Sequence, residues 1–263
     1  MRVAAILLAA GESTRMGSPK PLLPWSGATL VERQVEALLE AGVDAVCVVT
    51  GHRGDDVAAA VSQAFPPGAS SQFNSPLPPR ASGQFKSPLP PGDGCPPQVG
   101  AGEGRRKELS PGRQSGKARP AGRVFTVHNP DYRLGKTTSI KAGLAALPED
   151  VDTIVILAVD QPRPADVTRR VLELHVEAGK PISSPRYQGH GGHPLVFSAA
   201  LRPELAAISE EKAGLREVMR RHAHEINWAP FDDPVVRLDL NTPEAYEAAL
   251  KSFPDPRRRG PAT

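Results

Sequence analysis

The 263-residue chain lacks the apolar run of about 18 residues that a membrane-spanning helix needs, so the sequence predicts no transmembrane segment. Residues 1–10 place one arginine before a short apolar run, as a signal peptide does, but no small-residue cleavage site follows. We therefore interpret this stretch as a buried strand. The expectation is a cytoplasmic protein with no membrane partner.

Cysteine and aromatic residues are also scarce. The two cysteines, Cys47 and Cys95, lie in very different surroundings, which argues against a disulfide framework and fits a reducing compartment. Aromatic residues make up 5% of the chain, whereas nucleic-acid-binding surfaces combine basic stripes with aromatic side chains. The net charge of +3 arises from residues 66–122 and 252–263, and the remainder is acidic. The sequence therefore predicts no nucleic-acid partner.

Proline, glycine and serine, by contrast, are concentrated in residues 66–122, where they occupy 29 of 57 positions. A proline-rich octamer at residues 72–79 recurs at 84–91 with one change. Such a segment cannot bury a core, so we expect a disordered insertion, followed at 251–263 by a basic flexible tail. The insertion is interpreted as an expanded surface loop, with a docking peptide for an SH3-like partner as the alternative.

Outside the insertion, in residues 1–65 and 123–250, apolar runs alternate with segments of helical periodicity. The predicted strands are Val3–Ala9, Ala45–Val49, Val124–Val127, Thr153–Val159, a short one near Ile182, Leu195–Phe197 and Ile226–Trp228. The predicted helices are Thr29–Ala41, Asp55–Phe65, Ser139–Leu147, Pro164–Ala178, Leu215–His222 and one beginning near Thr242. This alternation indicates a single α/β domain with a doubly wound, mostly parallel sheet.

The loop after the first predicted strand, residues 9–20, has the parts of a phosphate-binding cradle. Its two glycines, Gly11 and Gly17, allow tight turns with inward-facing amides, and Arg15 and Lys20 supply positive charge. It is not a Walker A loop, since Gly17 is not followed by Lys and Ser or Thr, and it lacks the glycine spacing of a dinucleotide fingerprint. Ligands of open α/β folds bind beyond the carboxyl ends of the strands, where this loop lies.

In order, the loop reads Leu8-Ala9-Ala10-Gly11-x-Ser13-x-Arg15-Met16-Gly17-x-x-Lys20. It resembles the signature loop of nucleotidyltransferases that act on molybdopterin and on sugar phosphates. The alanine pair before the glycine is similar to the molybdenum cofactor cytidylyltransferases. The guanylyltransferases usually have Ala-Gly-Gly at this point.

Four further segments extend the resemblance to a match over roughly residues 1–65 and 123–250. They are Asn129 with Gly135 and Ser139-Ile140-x-x-Gly143-Leu144; Asp160-Gln161-Pro162; Gly189-x-Gly191-Gly192-His193-Pro194; and Asp239-Leu240-Asn241-Thr242-Pro243-Glu244. Two departures from the family pattern occur. Residues 136–138 read Lys-Thr-Thr where methionine or small residues are usual, and Asn241 replaces the second aspartate of an Asp-Ile-Asp-Thr-Pro-Glu pattern.

The resemblance implies a nucleotide-diphospho-sugar transferase-like fold and transfer of CMP from CTP to molybdopterin, with Mg²⁺ as cofactor and release of pyrophosphate. The resemblance is also compatible with a further partner, a client molybdoenzyme of the hydroxylase type. It assigns catalysis to Lys20 and Arg15; nucleotide binding to Ala9, Ala10, Gly11, Ser13, Gly17, Lys20, Asn129, Gly135 and Ser139; metal binding to Asp160, Asp239 and Asn241; and acceptor binding to Gly192, His193 and Pro194.

The chemistry is consistent with these residue types. A phosphate that attacks the α-phosphorus of a nucleoside triphosphate is already ionised, so the protein must supply alignment and charge neutralisation rather than a general base. Three alternatives stay open: another nucleotide or a sugar-phosphate acceptor, a carrier that binds the cofactor without turnover, and structural roles for three residues. In the last, Lys20 is an exposed cation at a helix start, Asp160 is a turn residue before Pro162, and Asp239 caps the last helix.

Deletion of residues 68–120 is expected to leave both fold and activity intact, because a proline-rich segment of this composition contributes no core. The measurement is the melting temperature and the enzymatic rate of the shortened chain beside the full one. A collapse in melting temperature would contradict the prediction.

Overall fold

The computed structural model describes residues 1–66 and 122–252, except for the side chain of Arg15. The predicted insertion with its octamer repeat, together with Cys95 and the tail beyond residue 252, lies outside these residues. Residues 251 and 252, which the sequence analysis assigned to the tail, end the last helix.

The described chain contains an eight-stranded sheet and a separate two-stranded ribbon. The strands are β1 Val3–Ala9, β2 Pro24–Trp25, β3 Ala28–Thr29, β4 Ala45–Thr50, β5 Arg123–His128, β6 Thr153–Ala158, β7 Ile182–Tyr187, β8 His190–Gly191, β9 Leu195–Ser198 and β10 Ile226–Pro230. The order across the sheet is β10-β7-β9-β6-β1-β4-β5, with β8 paired to β7, while β2 and β3 form the ribbon.

The helices are α1 Leu30–Glu40, α2 Gly54–Ala64, α3 Lys136–Ala146, α4 Ala165–Ala178, α5 Arg202–Ala206, α6 Leu215–Arg221 and α7 Pro243–Ser252. Helix α1 begins with a capping box, in which Thr29 Oγ1 accepts from the Glu32 amide and Glu32 accepts from the Thr29 amide. Within the described residues no helix has both the length and the apolar character to cross a bilayer.

The centre of the sheet is parallel. Strand β1 pairs in parallel with β4 on one side and β6 on the other, and β5 continues the parallel order beyond β4. Strand β9 runs antiparallel to both β6 and β7, and β10 returns to the direction of β7. The prediction of a mostly parallel sheet is confirmed.

Both faces of the sheet are covered by helices. Alternate residues of β1 enter opposite cores, Ala5 and Leu7 on one face and Ala4 and Ile6 on the other. The first core takes apolar side chains of α1, α2, α4 and α7, and the second takes those of α3, α5 and α6. A strand buried on both faces must be apolar throughout, which is why β1 reads as a continuous apolar run. The doubly wound prediction is confirmed.

Helix α3 begins three residues before the predicted start, at Lys136 rather than Ser139. Its first residues are polar and give no apolar periodicity. The Glu210 carboxylate, distant in sequence, accepts a hydrogen bond from the Thr137 amide at 2.7 Å and so satisfies one free amide of the first turn. A contact between residues so far apart leaves no local sequence signal.

The sequence analysis also missed β2, β3, β8 and α5, which are two to five residues long. Elements of this length contain too few residues to show a period of either 2 or 3.6. Their positions are set by neighbouring structure. Tyr246 of α7, for example, donates a hydrogen bond from its hydroxyl to the Pro24 carbonyl oxygen of the ribbon.

The contact between α3 and the sheet yields a stability prediction. A Cβ added at Gly143 would lie 2.6 Å from Ile6 Cγ2 and 3.0 Å from Val49 Cγ2, both in buried strands. Overpacking costs about 1–3 kcal/mol and the better helix propensity of alanine returns about 1 kcal/mol, so we expect Gly143→Ala to destabilise the fold by about 1 kcal/mol. The measurement is the urea unfolding midpoint at unchanged slope.

The matched control is Ala145→Gly at an exposed position of the same helix. It isolates helix propensity and is expected to cost about 1 kcal/mol. If Gly143→Ala instead raised the midpoint, the close packing of α3 on β1 and β4 would be contradicted.

Candidate functional site

A cleft of about 280 Å³ opens at the carboxyl ends of β1 and β6. Because parallel strands end at the same edge of a sheet, loops that are distant in sequence meet there. The lining residues are Leu8, Ala9, Ala10, Gly11, Ser13, Lys20, Pro21, Tyr132, Gly135, Lys136, Ser139, Ala158, Val159 and Asp160. Eight of these are among the predicted site residues: Ala9, Ala10, Gly11, Ser13, Lys20, Gly135, Ser139 and Asp160.

The loop after β1 is closed by a local hydrogen bond, from the Lys20 amide to Ser13 Oγ at 2.9 Å. Ser13 and Gly17 flank the short 3₁₀ turn Thr14–Met16 and both adopt left-handed backbone conformations, with φ of 55° and 66°. In the described structure a Cβ at Gly11 would meet no atom within 4 Å, so neighbouring protein atoms do not force a glycine there. The loop leaves this open space facing the cleft. Of the predicted catalytic pair, Arg15 has its side chain outside the described structure.

Lys20 connects three segments of the chain. Its Nζ donates to Asp160 Oδ2 at 2.9 Å and to Asn241 Oδ1 at 2.7 Å. The Lys20 and Asp160 side chains are 13% and 22% exposed, so this ion pair is partly shielded from water. The alternative in which Lys20 is merely an exposed cation at a helix start therefore does not hold. It holds a carboxylate and an amide at the mouth of the glycine-containing loop.

Asp239 lies close enough to this contact for the charges of Asp160 and Lys20 to act on its carboxyl. Its Oδ2 accepts from Gln161 Nε2 at 3.4 Å, and its Oδ1 is buried without a hydrogen-bond partner in the described structure. Burial, followed by repulsion from Asp160, raises the pKa of the Asp239 carboxyl. The helix-capping alternative does not hold for Asp239, because Thr242 Oγ1 accepts from the Ala245 amide at the start of α7.

These residues suit a hard divalent cation. Mg²⁺ is usually held by one or two protein carboxylates together with substrate phosphates, and Asp160 and Asp239 supply that number. The partnerless Asp239 Oδ1 is a free oxygen ligand, and the Asn241 amide oxygen is another of the same hard type. Among the described residues no group of three or more His, Cys, Asp or Glu could hold a metal ion by itself.

The predicted nucleotide residues after β5 form a hydrogen-bonded turn. Asn129 is buried, and its Nδ2 donates to Thr138 Oγ1 and to Ser139 Oγ, both at 2.9 Å, while its Oδ1 accepts from the Asp131 amide. Asn129 therefore supports the cleft wall from behind without lining it. A Cβ at Gly135 would lie 2.4 Å from the carboxylate of the exposed Glu210 side chain, and the φ of 119° at Gly135 is a backbone conformation that favours glycine.

The predicted acceptor residues lie on the turn between β8 and β9 and do not line the cleft. The His193 amide donates to the Val236 carbonyl oxygen at 2.9 Å, and a Cβ at Gly192 would lie 2.3 Å from that same oxygen. The peptide bond from His193 to Pro194 is cis. Burial, followed by the positive charges of Arg163 and Lys136, lowers the pKa of His193 to about 4. The imidazole is therefore neutral at pH 7, and its Nδ1 is buried without a partner in the described chain.

The sequence analysis assigned no role to Arg163, Lys136 or Tyr132. Lys136 and Tyr132 line the cleft, and Lys136 is exposed at the start of α3. Arg163 is buried and donates to the backbone carbonyl of His193, within the predicted acceptor turn, and to that of Val236, in a segment that contacts the turn. The signal that could have identified Arg163 was its place directly after Asp160-Gln161-Pro162, where a charged residue follows a strand end.

Comparison with known proteins places this geometry in a family. The family model described as the MobA-like NTP transferase domain matches residues 5–75 and 109–226. The "Nicotine blue oxidoreductase" of Paenarthrobacter nicotinovorans is 27% identical over 250 residues, covering 92% of this chain and 93% of that protein. The "Bifunctional IPC transferase and DIPP synthase" of Rubrobacter xylanophilus is 29% identical over 269 residues. That alignment covers 90% of this chain but only 47% of the relative.

Solved structures share the fold. Rv0371C of Mycobacterium tuberculosis H37Rv, in complex with manganese, aligns with a TM-score of 0.60 and 20% identity, covering 96% of this chain and 100% of that one. Since the family model matches well over half of the residues, the chain belongs to the family of MobA-like NTP transferase domains.

Proposed function

We propose that this protein is a cytidylyltransferase that transfers CMP from CTP to molybdopterin and releases pyrophosphate. The observation that carries the proposal is the contact of Lys20 with Asp160 and Asn241 beside the glycine-containing loop. This contact brings the ammonium of a flexible side chain beside two hard oxygen ligands, at the carboxyl ends of the parallel strands where ligands of such sheets bind. Nucleotidyl transfer requires this combination of groups.

In the proposed reaction the loop of residues 9–20 binds the triphosphate. The left-handed conformations at Ser13 and Gly17 turn the backbone sharply, which suits amides that face a phosphate. Lys20 neutralises charge on the reacting phosphates, and the long, flexible side chain lets its ammonium move from Asp160 to a phosphate oxygen. Asn129 orders the turn that carries Gly135 and Ser139 against the nucleotide.

Asp160 and Asp239, with Asn241, would hold Mg²⁺ in this reaction. A bound Mg²⁺ supplies charge neutralisation at the transferred phosphate. The acceptor is proposed to lie on the side of Gly192, His193 and Pro194. There a neutral His193 would form hydrogen bonds rather than an ion pair, as its low pKa supports. The attacking phosphate of the acceptor is already ionised, so no residue is needed as a general base.

A second candidate rests on one specific finding. The relative named as an oxidoreductase aligns along nearly the whole of both chains. This favours an oxidoreductase acting on a compound such as nicotine blue as the alternative activity. The two candidates separate experimentally, since an oxidoreductase acting on nicotine blue would consume that compound and release no pyrophosphate.

The first prediction from the proposed function concerns Lys20. We expect Lys20→Met to lower CTP-dependent pyrophosphate release by about a hundredfold, because a cation that meets transition-state charge is worth roughly 3 kcal/mol. The measurement is pyrophosphate release from CTP and from GTP, in the presence of Mg²⁺ and molybdopterin. The control is Lys141→Met, which removes an exposed lysine of α3 that does not line the cleft and should leave the rate unchanged.

Three outcomes would count against the proposal. Equal release by wild type and Lys20→Met would remove Lys20 from the reacting phosphates. A preference of the wild-type protein for GTP would contradict cytidylyl specificity. Tight binding of nucleotide or molybdopterin without any release would favour the carrier.

The second prediction concerns the metal ligands. We expect EDTA to abolish pyrophosphate release and added Mg²⁺ to restore it. Asp160→Asn should raise the Mg²⁺ concentration for half-maximal rate at least about tenfold, since even indirect partners of a metal ligand are worth about 10- to 100-fold. Asp232→Asn, at an exposed position without a role in the proposed site, is the control and should titrate like wild type. Unchanged Mg²⁺ dependence in Asp160→Asn would rule out Asp160 as a ligand.

A further inference from the structure

Arg163 is a buried guanidinium whose hydrogen-bond partners are all backbone carbonyls. It is 3% exposed and lies three residues after Asp160. Its Nε donates to the His193 oxygen at 2.9 Å and its Nη2 to the Val236 oxygen at 2.9 Å. Its Nη1 donates to the oxygens of Pro162 at 2.9 Å and Leu238 at 3.0 Å. The one side chain therefore joins the end of β6 to two other segments.

The first of these segments is the acceptor turn, which we define as residues 189–194. The second is the 3₁₀ segment Pro234–Arg237 with the two residues that follow it, and it ends at Asp239. The two segments also contact each other, since the Val236 carbonyl oxygen accepts from the His193 amide as well as from Arg163. Arg163 thus fixes the backbone on which both His193 and Asp239 are carried.

Packing alone does not account for a charged residue at this place. A buried charge costs several kcal/mol before it finds partners, and a neutral apolar side chain of similar volume is often as stable or more stable. Burial lowers the pKa of Arg163 to about 10, against the attraction of Asp239 and Asp160, so the group stays charged at neutral pH. Only arginine offers five donors in a rigid planar fork, which is what four separate carbonyls require.

The backbone held by Arg163 carries polar atoms that the described protein leaves without partners. Five buried side-chain nitrogen and oxygen atoms in the described residues lack a hydrogen bond, and three of them are Gln161 Oε1, His193 Nδ1 and Asp239 Oδ1. Each of the three residues is within three positions of a carbonyl that Arg163 binds or of Arg163 itself. Buried polar atoms in native proteins are generally satisfied, so such a concentration points to groups kept for a ligand.

We propose, on the basis of the proposed function, that Arg163 is a positioning residue for the acceptor. It holds the acceptor turn and the segment that ends at Asp239 in one fixed arrangement beside Asp160, so that His193 and Asp239 face the phosphorylated acceptor. Arg163 itself does not touch the reacting atoms. Its influence reaches the reaction through the backbone of those two residues.

The test compares Arg163→Lys with Arg202→Lys. Lysine keeps the charge but offers a single ammonium, which cannot reach four diverging carbonyls. Arg202 is a matched control, because it too donates to backbone carbonyls, those of Leu147 and Pro148, but it lies at the start of α5 and does not line the cleft. Both substitutions should lower the melting temperature.

The kinetic expectation is a split between the two substrates. Arg163→Lys should lower kcat/KM for molybdopterin by about a hundredfold, the cost of misplacing a substrate by about 1 Å, and leave the KM for CTP unchanged. Arg202→Lys should leave both parameters unchanged. If Arg163→Lys raised the KM for CTP instead, or behaved like Arg202→Lys, the positioning role would be overturned.

Hydrogen exchange of the intact proteins tests the same proposal without any turnover. In Arg163→Lys, peptides that contain the His193 amide, bonded to Val236, and the Leu240 amide, bonded to Asp160, should exchange faster than in wild type, with α5 unchanged. Faster exchange in all peptides alike, or an exchange pattern identical to that of the wild type, would contradict the proposal. A wild-type protein that releases no pyrophosphate would contradict the proposed function, whereas the exchange experiment does not depend on turnover. Failure of the proposed function and failure of the Arg163 proposal are therefore distinguishable.

Discussion

The parallel pairing of β1 with β6 determines where the polar groups of the site lie. Leu8 pairs with Ala158, so the loop after β1 and the loop after β6 leave the sheet side by side. Lys20 and Asp160 then meet at 2.9 Å although 140 residues separate them. Both strands are buried along their length, and a slip of one residue would move every side chain into the opposite core. The packing of the sheet therefore fixes the geometry of the cleft.

Two cations near this edge are bound in different ways, and the difference defines what each can do. Lys20 is bound by side-chain oxygens at the cleft, so its ammonium can exchange those partners for a phosphate. Arg163 is bound by backbone carbonyls in the interior, and its withdrawal would remove a buried hydrogen-bond donor from each of them. The exchangeable contact suits a group that meets substrate. The fixed contact suits a group that holds the backbone around it.

The sequence predicted the features that depend on local pattern. The apolar runs of β1 and β6 and the amphipathic α1 and α4 identified the doubly wound sheet, and its ligand edge followed from strand direction. Features that depend on long-range contacts could not be predicted in this way. The early start of α3 requires Glu210, and the role of Arg163 is visible only when the carbonyls of separate segments converge on it. The resemblance assigned Asn241 to metal binding, but its hydrogen bond with Lys20 is visible only in the structure.

Asn241 shows how one departure from the family pattern changes the electrostatics of the cleft. Asp160 and Asp239 already repel each other, and this repulsion contributes to the raised pKa of Asp239. A third carboxylate at position 241 would add to that repulsion and would bind the Lys20 ammonium as a second ion pair. The amide oxygen of Asn241 accepts from Lys20 at 2.7 Å without adding charge. In the proposed reaction, asparagine would therefore preserve the position of the ammonium while lowering the cost of its transfer to a substrate phosphate.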